Sequence, residues 1–245
     1  ELAQNLSHLG EIDAAAEILM ELARAEGVEL EARHQAARAL SRLERPDAAV
    51  EAWLALALND AGPGKLRQEA AEALDSLKQD EAAVRAWQAI ARDERLGQTT
   101  RRAAAEALSR LGETGVAAET WLALALEPDA SLETRREAAE TLASLGQTEK
   151  VGRVWLALAQ DERMAPQARK EAAYNLIYSD HVEAAVDVLL TLVRDARVDF
   201  QIRKEAGEAL GHLGRIEDAT EAWIALAHDK SVGGKTRIEA IEMLR

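Results

Sequence analysis

The chain has 245 residues and a formal net charge of −14, from 30 Lys and Arg against 44 Asp and Glu. That balance argues against nucleic acid, whose phosphates are bound through Lys and Arg with release of counterions. Five Trp, two Tyr, one Phe and four Pro sit among abundant Ala, Leu and Glu, a composition that suits helices and starves β-sheets, and zero Cys excludes disulfides, zinc thiolate sites and cysteine nucleophiles.

No run approaches the roughly 18 apolar residues needed to span a bilayer, and no apolar leader precedes a small-residue cleavage site. No membrane partner is expected, and the cytoplasm is the expected compartment. An internal period overrides length as a guide to domain count. Arg33, Arg67, Arg101, Arg135, Arg169, Arg203 and Arg237 follow one another at a constant step of 34. The pattern predicts about seven helix-turn-helix units in one helical-repeat array over residues 1–245.

Glu1 to Leu9 read as the tail end of a first-type helix. The next helices are predicted near 31–43 and 47–58, repeating to a last one near 235–244. Each first helix carries R-x-x-A-A-x-x-L-x-x-L, as in Arg67, Ala70, Ala71, Leu74 and Leu77; offsets of three and four put these residues on one face. A turn follows at Gly10, Gly112, Gly146 and Gly214, where a left-handed residue ends the helix, with Glu44, Lys78 and Asp180 in its place elsewhere. The second helix opens near an acid such as Asp47 or Glu149, which offsets the positive end of the helix dipole.

That helix reads A-x-x-x-W-x-x-L-A. Trp53, Trp87, Trp121, Trp155 and Trp223 share one repeat position, filled by Leu19 and Leu189 in the other two units. A tryptophan stripe suggests a stacking platform for sugars or bases, but its place beside Leu and Ala on the apolar face favours core packing. Both termini cut a unit in half, at residues 1–9 and 235–245, so a segment of a longer protein is expected. The uncovered ends, Glu1 to Leu9 and Thr236 to Arg245, are expected to allow end-to-end self-association.

The 34-residue period, the L-G turn and the A-x-x-x-W-x-x-L-A helix resemble tetratricopeptide repeats, with Ala49 and Trp53 at the small and large positions. The first helix departs from that family and, as R-x-x-A-A-x-x-L-x-x-L-G, resembles short bacterial HEAT-like repeats. Hybrid units such as Leu213 to Asp229, LGRIEDATEAWIALAHD, resemble the helical sensor arrays of bacterial STAND-type signalling ATPases. The resemblance implies an all-α, right-handed α-solenoid with a concave wall of first-type helices. The implied role is the sensor or interaction segment of a larger signalling protein that binds a protein or peptide. The alternative is a structural spacer or oligomerisation arm, including an array of designed or recently amplified sequence, with no specific ligand.

No G-x-x-x-x-G-K-S/T, H-E-x-x-H or G-x-S-x-G is present. The five His (His8, His34, His181, His212, His228) do not pair at ligand spacing. The expectation is therefore no enzyme, no catalytic residue, no metal and no cofactor. The recurring arginines read in two ways, as a ladder for an anionic ligand or as framework. In the framework reading each links to the acidic or amide residue just before it, as Asn59 before Arg67 and Asp161 before Arg169.

Two places break the columns of the first-helix face. His34, Arg38 and Arg42 make an unneutralised basic stripe. Tyr174, Ile177 and Tyr178 place both tyrosines one helical turn apart, with Phe200 in the following turn and His181 nearby, in the unit where Leu189 replaces Trp. Exposed aromatics are favoured recognition residues; the competing reading is that Tyr fills the volume left by the missing indole. Elsewhere on this face Arg102 with Glu106, Arg136 with Glu140 and Lys204 with Glu208 read as ordinary i,i+4 surface pairs.

Overall fold

A computed structural model describes residues 11–25, 27–230 and 232–244. Among them are fourteen α-helices and no strand: α1 (Ile12–Arg24), α2 (Leu30–Arg42), α3 (Pro46–Ala57), α4 (Gly64–Ser76), α5 (Asp80–Arg92), α6 (Gln98–Arg110), α7 (Thr114–Leu126), α8 (Leu132–Ser144), α9 (Thr148–Gln160), α10 (Pro166–Tyr178), α11 (Val182–Arg194), α12 (Phe200–His212), α13 (Ile216–His228) and α14 (Gly234–Glu242). This is the helical repeat arrangement of an α-solenoid. No described helix is long and apolar enough to cross a membrane.

The described turns inside the repeats close on a residue with positive φ. Gly112, Gly146 and Gly214 take φ of 82°, 70° and 73°, and Glu44, Lys78 and Asp180 take 54°, 56° and 64°. At Gly146 the closure is explicit. The Gly146 amide donates to the Ala143 carbonyl and the Gln147 amide donates to the Leu142 carbonyl, each at 2.9 Å, satisfying acceptors that the helix end leaves orphaned. Three side-chain-bearing residues accept the left-handed region because the turn needs that geometry more than it needs glycine. Gly10 lies outside the described residues.

The chain falls into two compact units, residues 1–121 and residues 122–245, with the boundary inside α7. In the first, α1 to α6 pack each on the next, and α1 on α3, α3 on α5 and α4 on α6. In the second, α8 to α14 pack consecutively, with α9 on α11, α11 on α13 and α10 on α12. Each unit is thus built in two layers, one of first-type and one of second-type helices.

The apolar stripes meet between the layers. Ala70, Ala71 and Leu74 of α4 and Ala83, Ala86 and Ile90 of α5 are fully buried. Trp53, Trp87, Trp121 and Trp223 are buried, and Trp155 packs half-buried against the core. The indoles keep their N–H satisfied in two repeats: Trp53 Nε1 donates to Ser41 Oγ at 3.0 Å and Trp87 Nε1 to Asp75 Oδ2 at 3.2 Å. These contacts place the tryptophans in the core and away from a stacking platform.

Candidate functional site

The recurring arginines are the fourth residues of the first-type helices, and those from Arg33 to Arg203 are buried. Packed antiparallel, each first helix begins beside the C-terminus of the second-type helix before it. A cation there meets orphan carbonyls and the negative end of a helix dipole. Accordingly Arg33, Arg67, Arg169, Arg203 and Arg237 donate Nε–H to the carbonyls of Ala23, Ala57, Ala159, Val193 and Ala227, at 2.7–2.9 Å. Arg101 Nε donates to the Leu96 carbonyl at 3.1 Å, and Arg135 Nη1 to the Ala157 carbonyl at 3.4 Å.

The carboxylate partner differs from the one read in the sequence. Arg67 Nη1 lies 2.7 Å from Asp93, Arg135 Nη1 3.0 Å from Asp161, and Arg203 pairs with Asp229. Each acid comes from the end of the following second helix, so the expectation that Arg169 pairs with Asp161 is corrected. The start of a first helix lies between the ends of two second helices. Arg67 and Arg203 take a backbone carbonyl from the earlier one and a carboxylate from the later one, whereas Arg135 takes both from the later one.

Asp93, Asp161 and Asp195 each hold an arginine two residues on. Arg95, Arg163 and Arg197 each donate Nε–H to the carboxylate of Asp93, Asp161 or Asp195 at 2.8–2.9 Å. Arg95 also reaches the Asp60 carbonyl at 3.4 Å, and Arg163 reaches that of Pro128. The hydrogen bonds from Arg95 and Arg163 hold Asp93 and Asp161 well below the ordinary carboxylate range, and those from Arg197 lower Asp195 to about 2.

A depressed folded-state pKa contributes stability that is present above the unfolded value, about 3.9, and is lost as pH falls through the folded value. Melting followed by circular dichroism should therefore fall between about pH 4 and pH 2. A triple Asp93→Asn, Asp161→Asn, Asp195→Asn variant should show a shallower fall over that window. An equally steep fall in both would remove these aspartates as its source.

A second set of contacts crosses from one first helix to the next. Arg136 pairs with Glu171, Lys170 with Glu205, and Lys204 lies 3.9 Å from Glu239. His34 Nε2 lies 3.5 Å from Glu69. The expected Arg136–Glu140 pair is replaced by this cross-repeat link, whereas Arg102 meets Glu106 at 3.0 Å and Lys204 approaches Glu208 at 4.0 Å. The signal was present as an acid column one position after the basic column of the previous repeat. A third set joins the starts of successive second helices: Arg45 to Asp13, Arg215 to Glu183, and His181 Nε2 to Glu149 at 3.6 Å.

Against this background the residues singled out by sequence separate. His34 does not join Arg38 and Arg42 in an exposed stripe. It is 8% exposed and packs edge-on against Trp53, with ring centroids 5.2 Å apart, and it faces Glu31 and Glu69, so the stripe read as unneutralised is corrected at this residue. Arg38 and Arg42 are exposed on α2.

Tyr174, Ile177 and Phe200 are half-buried and pack against the core that contains the fully buried Leu189. The Tyr174 hydroxyl donates to the Glu205 carbonyl at 3.4 Å. Burial, and then the charges of Glu205 and Glu208, raise its pKa. His181 is turned inward: Nδ1 lies 2.7 Å from the Ser179 carbonyl and its ring fills the space where a Cβ on Gly152 would stand. It occupies the repeat position of Arg45 and Arg215 and makes their kind of contact. Tyr178 alone of this group is displayed, 86% exposed at the end of α10.

Among the described residues, no group of three or more His, Cys, Asp or Glu could hold a metal ion. A groove between α1 and the start of α3 is lined by Asp13, Glu17, Arg24, Arg45 and Asp47. Its cations are engaged, Arg45 with Asp13 and Arg24 with Glu51.

Comparison with protein-family models and with curated proteins finds no match. Among solved structures, human deoxyhypusine hydroxylase in complex with glycerol is similar at 20% identity over 98% of this chain and 99% of that one, with a TM-score of 0.34. The expectation that the chain is no enzyme is corrected on this finding, since the aligned protein is by name a hydroxylase. At that identity and score the likeness transfers neither its activity nor its ligand to this chain.

Proposed function

We propose that the chain is a protein- or peptide-binding repeat scaffold, and that the first-helix layer of residues 122–245 is its docking face. The observation that carries this is Tyr178. Its neighbours Tyr174, Ile177 and Phe200 pack against the core while its own ring stands 86% exposed. A large, rigid side chain at the surface offers contact area at low entropic cost, which is what binding hot spots use. The resemblance of units such as Leu213 to Asp229 to STAND-type sensor arrays supports placing this scaffold in a larger bacterial signalling protein.

The test is a selection from a random peptide library on the wild-type chain, followed by titration of the enriched peptides against Tyr178→Ala. Enrichment with at least about a tenfold loss of affinity in the variant is expected, the scale of a hot-spot truncation. No enrichment, or equal binding to a folded Tyr178→Ala, would overturn the reading.

A further inference from the structure

The cross-repeat ladder decides the charge of this face. In α8, α10 and α12 the cations of this first-helix column are committed: Arg136 to Glu171, Lys170 to Glu205, and Lys204 to Glu239 and Glu208; in α14 the column position is Ile238, and Lys235 stands exposed at the helix start. Lys170 is 5% exposed, so its ammonium is withdrawn into the pair. The next column of the same helices holds Glu140, Tyr174, Glu208 and Glu242. Glu140 and Glu242 are exposed and have no partner among the described residues.

On α10, Tyr178 stands one turn beyond Tyr174, whose hydroxyl reaches across to the Glu205 carbonyl of α12 at 3.4 Å. The face therefore combines a displayed aromatic ring with Glu140, whose neighbouring Arg136 is used by Glu171, and with Glu208, which shares the Lys204 cation with Glu239. A ring face attracts a cation within about 6 Å of its centroid, and the surrounding carboxylates add charge complementarity that steers and orients the approach. A polyanion meets the opposite sign.

We infer that this face docks a cationic peptide segment, with a Lys or Arg side chain against Tyr178 and neighbouring basic side chains on Glu140 and Glu208. This rests on the reading that the first-helix layer binds a peptide, and it names the chemistry of that peptide.

The experiment is a fluorescence-anisotropy titration of three labelled Gly/Ser peptides of equal length, bearing Lys and Arg, Leu, or Glu at the same positions. Each is titrated against the wild-type chain, Tyr178→Ala, and Glu140→Gln/Glu208→Gln. A Glu81→Gln/Glu217→Gln variant, altered on the second-type helices, controls for the overall negative charge. The cationic peptide is expected to bind, to weaken with salt, and to lose at least about tenfold in affinity to Tyr178→Ala and to Glu140→Gln/Glu208→Gln, while the control variant binds as wild type does.

Preferential binding of the Leu or Glu peptide overturns the inference. So does a cationic peptide that binds all four proteins equally, which would mark general attraction to an acidic chain. If library-selected peptides are apolar or acidic yet still need Tyr178, the docking face stands and only its preference for cations falls.

Discussion

Trp87→Ala is expected to lower the free energy of unfolding by about 3–5 kcal/mol, as large-to-small changes at fully buried aromatic sites do. Trp87 is 1% exposed and lies among Ala83, Ala86 and Ile90, all fully buried. Its truncation removes apolar area and leaves a cavity that flanking alanines are too small to fill. It also takes the indole N–H from Asp75, which then keeps Arg110 at 3.4 Å. Urea denaturation read by circular dichroism measures the loss. A variant within about 0.5 kcal/mol of wild type would place Trp87 outside the core. Leu19 and Leu189 at the equivalent position, both buried, show that it needs apolar bulk more than an indole, so Trp87→Leu should cost less than Trp87→Ala.

Arg67→Met should cost a similar amount for a different reason. Arg67 is 0% exposed, donates to the Ala57 carbonyl at 2.9 Å and lies 2.7 Å from Asp93. Methionine keeps most of the stem but strips the C-terminus of α3 of its donor and leaves Asp93 with Arg95 as its cation. Removing one partner of a buried ion pair costs about 3–5 kcal/mol, because the other keeps its desolvation penalty. Adding Asp93→Asn to Arg67→Met should cost less than the two changes summed, since each removes the same contact. Full additivity would show that the two side chains do not act as a pair.

The helices and their turns were legible because both depend on local chemistry repeated at a fixed step. Alanines and leucines at three- and four-residue offsets set the buried stripe, and the turn position could be read even where Glu44, Lys78 and Asp180 replace glycine. Links between helices were less legible. Asp161 stands eight residues before Arg169, yet it lies beside Arg135, which is 26 residues earlier. A first helix begins between two C-termini, and sequence spacing does not say which of them supplies the carboxylate.

The same limit hid the Arg136–Glu171 and Lys170–Glu205 contacts, since column reading compares equivalent positions and these pairs are offset by one. Around Tyr178 the sequence located the unit that departs from the pattern. Burial then divided it: Tyr174, Ile177 and Phe200 pack against the core that contains Leu189, and His181 takes the place of an arginine in a helix-to-helix contact.

Side chains that recur along the array hold the helices together, and Tyr178, the residue proposed for recognition, departs from the recurrence at the surface. Thermal unfolding of Tyr178→Ala beside Arg67→Met tests this division most directly. Tyr178→Ala should melt with the wild type, as exposed substitutions remain within about 0.5 kcal/mol, and Arg67→Met should melt several degrees lower. A Tyr178→Ala variant destabilised as much as Arg67→Met, or an Arg67→Met variant as stable as wild type, would contradict it.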